Sequence, residues 1–459
     1  MSFYAAVAQA DITPPLGLTM AGYASRTHGA EDVADPLYAQ ALALSDGSRT
    51  AAIVSLDLCS FGLEAKDAMR DRAAERTGLD PRAIVISTTH THFGPMVDPS
   101  AWLSGELRET MLPEYRENLI AVVAGLIEDA WRRLESVRLL VGSAKAVGIS
   151  FNRRPLTPEG GCANRLRLSE DQASVASAEG YGLYRKWRKG GWSGPSHAPS
   201  DPRVEGLCLG VTDPEVVVLR VETQSGVPLA AAVNFACHPV CGGSNLYAVS
   251  ADYPGEMRWV LARELGVPSL FLLGAAGDQV PAWREGDARR RVGQSLGGAA
   301  VSAWHRAREV EGPLGVASVT AELPLRSFEP VDRVQARLEA LTDPSVPEAW
   351  RDRYELEMAK LFGCRASLPN EVQAIAADEW GLVTGPCEIL VEIGLHIKQK
   401  SPFAHTMFAS LAGENLGYMP TDDALREGGY EATTTALGSG AGAALIAGAL
   451  EALRAARST

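Results

Sequence analysis

Two histidines in the stretch Thr89-His90-Thr91-His92 are the residues of this chain best suited to chemistry. They follow the β-branched run 83–86, which predicts a buried strand, and Gly94-Pro95 predicts a turn directly after them. Residues two apart on an extended chain point to the same side, so both imidazoles can face one site. Histidine is the commonest metal ligand and the usual acid or base near neutral pH. The alternative interpretation is a hydrogen-bonded or surface pair with no chemical role.

A third histidine and a glutamate occupy comparable positions. The apolar stretch that begins at Val233 ends at His238-Pro239, where the proline stops strand pairing. Strand ends meet at one edge of a sheet in α/β folds, and sites are built there. Glu388 begins another apolar strand, where an ionised carboxylate is costly unless it meets a cation. His238 and Glu388 therefore join His90 and His92 as candidates for chemistry at one edge of the sheet.

Other metal-ligating and acidic residues have simpler interpretations. Cys237 and Cys241 flank His238, but no second Cys/His pair with zinc-finger spacing exists, which favours small buried residues. The carboxylates of Asp57, Asp252 and Asp278 each follow an apolar run or a glycine. Each of these three is typical of a cap or turn residue when taken alone.

The bulk composition is that of a soluble globular protein. The 459 residues are 46% hydrophobic and 22% charged, and the net charge of −13 argues against a nucleic-acid partner. The N-terminus lacks the basic start and apolar run of a signal peptide, and no segment approaches the length of a membrane span. Seven scattered cysteines fit a reduced, cytoplasmic protein. The oligomeric state is not readable from the sequence.

The alternation of strand and helix patterns predicts an α/β fold with mixed β-sheets flanked by helices, and with the metal site at the strand ends. We expect a single catalytic domain over 1–459, with an irregular insertion at about 157–205 and a helical excursion at about 330–377. Within the insertion, the aromatic and basic loop 180–192 suggests either a lid over the site or a surface excursion. A strand is predicted over 387–393.

An ordered set of motifs resembles the catalytic domain of the neutral/alkaline, non-lysosomal ceramidases. The resemblance runs from Asp11 to Glu431, nearly the whole chain. The motifs that carry it are Asp11-Ile12-Thr13-Pro14, Thr89-His90-Thr91-His92 with Gly94-Pro95, Asn234-Phe235-Ala236-Cys237-His238-Pro239, Gly277-Asp278, Pro386-Cys387-Glu388, Gly417-Tyr418-Met419-Pro420-Thr421 and Gly429-Tyr430-Glu431.

This resemblance implies a zinc ion and the hydrolysis of an amide bond. Matched by motif, the implied zinc ligands are His90, His238, Glu388 and Tyr418. It further implies three catalytic residues around the metal. These are His92 as a proton-transfer or substrate-contacting residue, Arg153 near the substrate carbonyl, and Tyr430 as a second site tyrosine.

Two departures from the family pattern shape the functional prediction. Ceramidases carry a serine in Gly-Asp-Val-Ser-Pro, whereas this chain has Val280 at that position, which excludes a serine nucleophile there. We also expect this protein to have neither the family's secretion signal nor its C-terminal immunoglobulin-like domain. We therefore predict a zinc-dependent hydrolase of a small or medium-sized N-acyl or cyclic amide. Zinc lowers the pKa of water to about 7 and so supplies the nucleophile near neutral pH.

Alternatives remain open on the sequence alone. The same zinc chemistry would serve an esterase or lactonase, and a non-catalytic binding protein with a retired site is a third interpretation.

Overall fold

The computed structural model describes residues 2–98, 113–157, 160–165, 210–341, 347–413 and 416–458. The strands of this part are β1 (Phe3–Asp11), β2 (Asp32–Val33), β3 (Tyr38–Ser45), β4 (Thr50–Leu56), β5 (Ile84–Thr88), β6 (Glu135–Lys145), β7 (Ser150–Asn152), β8 (Glu215–Thr223), β9 (Pro228–Phe235), β10 (Ala248–Val249), β11 (Ser269–Leu273), β12 (Gln279–Pro281), β13 (Arg308–Glu309), β14 (Gly315–Pro324), β15 (Ser367–Ala377), β16 (Trp380–Thr384), β17 (Glu388–Ile389), β18 (His405–Ala409) and β19 (Tyr418–Met419). The helices are α1 (Leu63–Thr77), α2 (Pro113–Arg132), α3 (Tyr253–Leu265), α4 (Ala288–Arg306), α5 (Val331–Ala340), α6 (Pro347–Phe362), α7 (Val391–Lys400), α8 (Asp422–Glu427), α9 (Tyr430–Thr433) and α10 (Ala441–Ser458).

A mixed sheet of nine strands forms the largest element. Eight of its strands follow the order β11-β9-β8-β6-β1-β3-β4-β5, and β13 pairs with β6. The two outer pairs, β9 with β11 and β4 with β5, are parallel, whereas the strands between them are antiparallel. The sheet curls so that edge strand β11 contacts β4 and β5 at the opposite edge. One contact across this closure is the Ser55 hydroxyl, which donates to the carbonyl of Phe271 at 2.6 Å.

Both faces of this sheet are buried, which explains the nearly continuous apolar runs of its strands. On β3, the alanines at 39, 41 and 43 face the core beneath α1 and α2, while Leu42 and Leu44 face the opposite core. The small alanine side chains let the two helices pack close to the strand. Helices α3 and α4 cover β8, β9 and β11 in the same way.

The second sheet, β14-β15-β16-β18, packs against the inner face of the first. Ile375, Leu382 and Met407 of this sheet share a core with Leu219 and Leu270 of the large sheet. Its outer face is covered by α10 with α6 and α7. The four layers are thus helices, sheet, sheet and helices, and the predicted class, α/β with mixed sheets flanked by helices, is confirmed.

Two short strand pairs lie outside the main sheets and carry the candidate site. Strand β17 pairs with β19 in parallel, which sets Glu388 opposite Tyr418. Strand β12 pairs with β7 in the antiparallel direction, which sets Gln279 opposite Asn152. Each pair fixes residues that are far apart in the sequence.

The helical excursion predicted at about 330–377 is wrong in its last part. Helices α5 and α6 occupy 331–340 and 347–362, but 367–377 forms β15, a central strand of the second sheet. The polar residues of this stretch have partners in α1. Arg70 donates hydrogen bonds to Glu371 and Gln373.

Two other expectations concern the middle of the chain and the membrane. Most of the insertion predicted at about 157–205, including the loop 180–192, lies outside the described residues. Within the described ranges, no helix is both long and apolar enough to cross a membrane.

Candidate metal centre

His90 lies directly after β5 in an unusual backbone conformation. Its φ is 66°, in the left-handed region that residues other than glycine rarely adopt. Such a conformation costs on the order of 1 to 3 kcal/mol and persists only where the surroundings enforce it. The enforcing contacts are a hydrogen bond from the His90 amide to the Leu58 carbonyl at 2.9 Å and one from the Thr91 hydroxyl to the Ser250 carbonyl at 2.7 Å. The backbone here is strained at a residue predicted to bind metal.

Backbone carbonyls orient the rings of His90 and His238. Nδ1 of His90 lies 2.7 Å from the carbonyl oxygen of Cys59, and Nδ1 of His238 lies 3.0 Å from that of Gln279. A carbonyl only accepts hydrogen bonds, so Nδ1 carries the proton in both rings. Nε2 is then left with a lone pair, as in metal-binding histidines whose other nitrogen donates to a carbonyl.

The two Nε2 atoms meet the carboxylate of Glu388. Its Oε2 lies 2.8 Å from Nε2 of His238 and 3.3 Å from Nε2 of His90. All three residues are largely buried, and their ligand atoms lie within 4.8 Å of one another. Three acceptor atoms that converge in a buried site repel each other unless a cation or a proton lies between them. This donor set of two imidazoles and one carboxylate fits a zinc ion.

The pKa shifts agree with a site that favours one positive charge. Burial alone would raise the pKa of Glu388, but attraction to His90 and the proximity of His238 hold it well below its ordinary value. Burial lowers the pKa of His238 to about 4, despite the nearby Glu388 carboxylate. For His90, burial is outweighed by attraction to Cys59 and Glu388, and its pKa is raised.

Tyr418 borders this cluster through Glu388. The pairing of β17 with β19 makes the two residues direct neighbours across the strands. Tyr418 is 4% exposed, and burial followed by the nearby Glu388 carboxylate raises the pKa of its phenol well above the ordinary range. The structure thus brings all four residues predicted as ligands to one place.

His92 lies on the other side of His90. The Nε2 atoms of the two rings are 3.3 Å apart, and the His92 ring packs edge-on against Tyr23. Nδ1 of His92 is buried and has no hydrogen-bond partner among the described residues. Burial and the proximity of His90 and His238 hold the pKa of His92 well below its ordinary value, so its imidazole is neutral at pH 7.

Arg153 and Tyr430 close the opposite side of the site. Arg153 follows β7, and its guanidinium carbon lies 5.4 Å from the ring centroid of Tyr418 and 5.6 Å from that of Tyr430. The ring of Tyr430 contacts that of Tyr418 at a centroid distance of 5.4 Å. Tyr430 is 41% exposed whereas Arg153 is 7% exposed, so Tyr430 lies on the solvent side.

The three aspartates predicted as caps or turn residues are structural. Asp57 forms a buried ion pair with Arg258 at 2.5 Å, and Asp252 accepts a hydrogen bond from the first amide of α3. Asp278 accepts one from the amide of Val391, the first residue of α7, at 2.9 Å. Cys237 and Cys241 are buried free thiols, as expected for small core residues.

Sequence reasoning missed the groups that orient the site. The carbonyls of Cys59 and Gln279 carry no side-chain signal, because any residue can supply a backbone oxygen. Glu431 was also missed as a site residue, although it directly follows Tyr430. Its carboxylate is fully buried between Arg153 and Arg154. The adjacent arginines at 153 and 154, which need a buried counter-charge, were the available signal.

Comparison with known proteins identifies the fold. No protein-family model matches the chain. A neutral ceramidase from Pseudomonas aeruginosa is similar in structure over 99% of this chain and 75% of its own, with a TM-score of 0.71 at 18% sequence identity. A ceramidase complexed with C2 is similar over 100% of this chain and 76% of its own, with a TM-score of 0.72 at 17% identity. The chain therefore has the neutral ceramidase fold over nearly its whole length, as the motifs predicted.

Proposed function

We propose that this protein is a zinc-dependent hydrolase that cleaves the amide bond of a small or medium-sized N-acyl or cyclic amide with activated water. The observation that carries the proposal is the convergence of Nε2 of His90, Nε2 of His238 and Oε2 of Glu388 in a buried site. The fold shared with neutral ceramidase supports the same reaction class.

The ligands in this proposal are His90, His238 and Glu388, with Tyr418 as the fourth. Zinc, when bound by such a set, lowers the pKa of a water molecule and polarises a carbonyl oxygen. The hydrogen bonds from both Nδ1 atoms to backbone carbonyls fix the two rings before metal arrives. The ligands are therefore preorganised, because neither ring has to change its tautomer.

In this proposal His92 acts first as the general base and then as the general acid. Its neutral Nε2 lies 3.3 Å from Nε2 of His90, beside the ligand atoms, and can accept a proton from the attacking water. The same atom then donates that proton to the leaving amine, which an amide needs because an amide anion is a poor leaving group. An ester needs this donation less.

Arg153 and Tyr430 stabilise the negative charge that develops on the carbonyl oxygen. They lie together at the edge of the cluster, and donors fixed in a buried site stabilise an oxyanion without reorganisation. Removing one such donor lowers kcat by about 10² to 10³ fold in measured cases. The exposed edge of Tyr430 marks the side from which substrate enters.

Water is the nucleophile because the chain has no serine at the position where ceramidases carry one. Val280 occupies that position in β12 and is fully buried, and its strand neighbour is Phe151. The contribution of this strand to the site is the Gln279 carbonyl, which orients His238.

Metal analysis and substrate profiling test the proposal. We expect one zinc per chain in purified protein and turnover of N-acyl p-nitroanilides or lactams that stops on chelation and returns with zinc. His90→Ala is expected to lose both metal and activity, whereas His305→Ala, which changes an exposed histidine of α4, keeps both. Protein without stoichiometric zinc, or His90→Ala with full metal content, would refute the proposal. Faster turnover of p-nitrophenyl esters and lactones than of every amide would favour the esterase alternative.

A further inference from the structure

Glu431 holds the most buried carboxylate near the candidate site. It lies in α9 directly after Tyr430 and has no exposed surface. Its Oε1 accepts a hydrogen bond from Nε of Arg153 at 2.7 Å, and its Oε2 accepts one from Nη1 of Arg154 at 2.5 Å. Burial would raise the pKa of Glu431, but attraction to the two guanidinium groups outweighs it and keeps the carboxylate ionised.

These contacts leave Arg153 little freedom. Its Nε donates to Glu431, its Nη2 donates to the Gly277 carbonyl at 2.9 Å, and its backbone amide donates to the Asp278 carbonyl at 2.8 Å. Because a guanidinium is planar, two fixed nitrogens fix the whole group. The Nη1 donors then point away from Glu431, and the group lies over the Tyr418 and Tyr430 rings.

Arg154 fixes the carboxylate from the opposite side. Its Nη2 donates to the carbonyls of Gly428 at 2.8 Å and Ala424 at 3.3 Å, which ties it to the end of α8. The backbone amide of Arg154 donates to the side chain of Asn152 at 2.9 Å. Glu431 therefore cannot rotate without breaking its contacts to both arginines.

We propose that Glu431 is a positioning residue that acts through Arg153 and aims its guanidinium at the substrate carbonyl. The proposal rests on the proposed function, in which Arg153 stabilises the developing oxyanion. Both carboxylate oxygens of Glu431 are bound by arginines, so in this proposal Glu431 acts on the site through Arg153. The competing explanation is that Glu431 only balances the charge of two buried arginines.

A pair of variants separates positioning from charge balance. Arg154→Met removes one buried charge but keeps the bond between Glu431 and Arg153. Glu431→Leu with Arg154→Met replaces one acidic and one basic side chain with apolar side chains of similar size, so the net charge of the three groups stays at +1, as in the wild type. Both proteins contain Arg153, but only the double variant has lost the acceptor of its Nε.

The expected result is a loss of kcat with little change in KM. Relative to Arg154→Met, the double variant should lose kcat on the order of 10² fold, the effect of misplacing a catalytic group by about 1 Å. Zinc content should be equal in the two proteins, because no metal ligand has changed. Equal kcat values would overturn the proposal. Glu431→Asp, which keeps the charge but shortens the side chain by one methylene and so withdraws the acceptor from Nε of Arg153, tests the same point if the double variant fails to fold. An unchanged kcat in it would also overturn positioning.

An exchange measurement tests positioning independently of turnover. In zinc-free protein labelled with ¹⁵N-arginine, the Nε–H signal of Arg153, assigned through Arg153→Lys, should exchange slowly with water in the wild type and in Arg154→Met. It should exchange rapidly in the double variant, and equal protection would refute the positioning role. A wild type that binds no zinc or turns over no amide would instead refute the proposed function, so the two failures are distinguishable.

Discussion

Gly22 allows the chain to pass against the ring of His92, and its replacement tests whether the placement of that ring matters. A Cβ added at Gly22 would lie 2.4 Å from Cγ of His92, and the φ of Gly22 is +93°. Carbon atoms in ordinary contact are about 3.5 Å or more apart, so the ring in Gly22→Ala must move by about 1 Å. A shift of that size in a catalytic group costs about 10² fold in rate.

Gly17 supplies a matched control. Its φ is +88°, nearly the same as that of Gly22, but nothing lies within 4 Å of an added Cβ. Alanine at either position carries the strain of a positive φ, about 1 to 2 kcal/mol, which denaturant unfolding of the two variants measures. Only Gly22→Ala adds displacement of His92. We expect both variants to lose the stability that a positive φ costs, Gly22→Ala to lose more because of the clash with His92, and only Gly22→Ala to lose kcat.

Two outcomes would refute this reasoning. If Gly22→Ala keeps wild-type kcat for an amide substrate, the position of His92 is not important for proton transfer. If Gly17→Ala loses as much activity as Gly22→Ala, backbone strain in the loop, rather than the imidazole, controls the rate.

Three further predictions concern metal, nucleophile and pH. Free zinc at 1,000 times its Kd stabilises the wild type by about 4 kcal/mol, and chelation should lower the free energy of unfolding by that amount. Chelation should not change the free energy of unfolding of His90→Ala. The activity of Val280→Ser should remain fully sensitive to chelators, and the variant should not be labelled by a fluorophosphonate. Labelling would indicate a serine nucleophile. Glu371→Gln should lower stability by about 1 to 3 kcal/mol at pH 7, because Arg70 outweighs burial and depresses the pKa of Glu371. The stability that ionised Glu371 contributes is present above its unfolded pKa of about 4.5, and it is lost as the pH falls through the lower pKa of Glu371 in the folded protein. The unfolding curves of the wild type and Glu371→Gln should therefore converge in acid.

Much of the site could be predicted because strand ends and histidines leave clear local signals. His90 and His238 each follow an apolar strand that the structure contains, and Glu388 lies where a buried carboxylate needed a cation. The assignment of these residues as zinc ligands stays a prediction until metal is measured. Their convergence depends on the curl of the large sheet, which no local pattern encodes.

The stretch 387–393 shows why other elements could not be predicted. The apolar run there predicts a strand, but only Glu388 and Ile389 pair with β19, and α7 begins at Val391. The first amide of this helix is bound by the carboxylate of Asp278 at 2.9 Å, a residue remote in the sequence. The local pattern fits either element, and a tertiary hydrogen bond at the helix start decides between them.

The position of the ligands in the large sheet also has a consequence for folding. His90 follows β5, one edge strand, and His238 follows β9, which adjoins the other edge strand β11. Contacts between such distant segments lower folding rates, because the ordering entropy is lost before the contacts form. We therefore expect the ability to bind zinc to develop late in folding, once the sheet has curled. A bound zinc would then serve as a cross-link between the two edges, and its removal should loosen that closure before any strand separates.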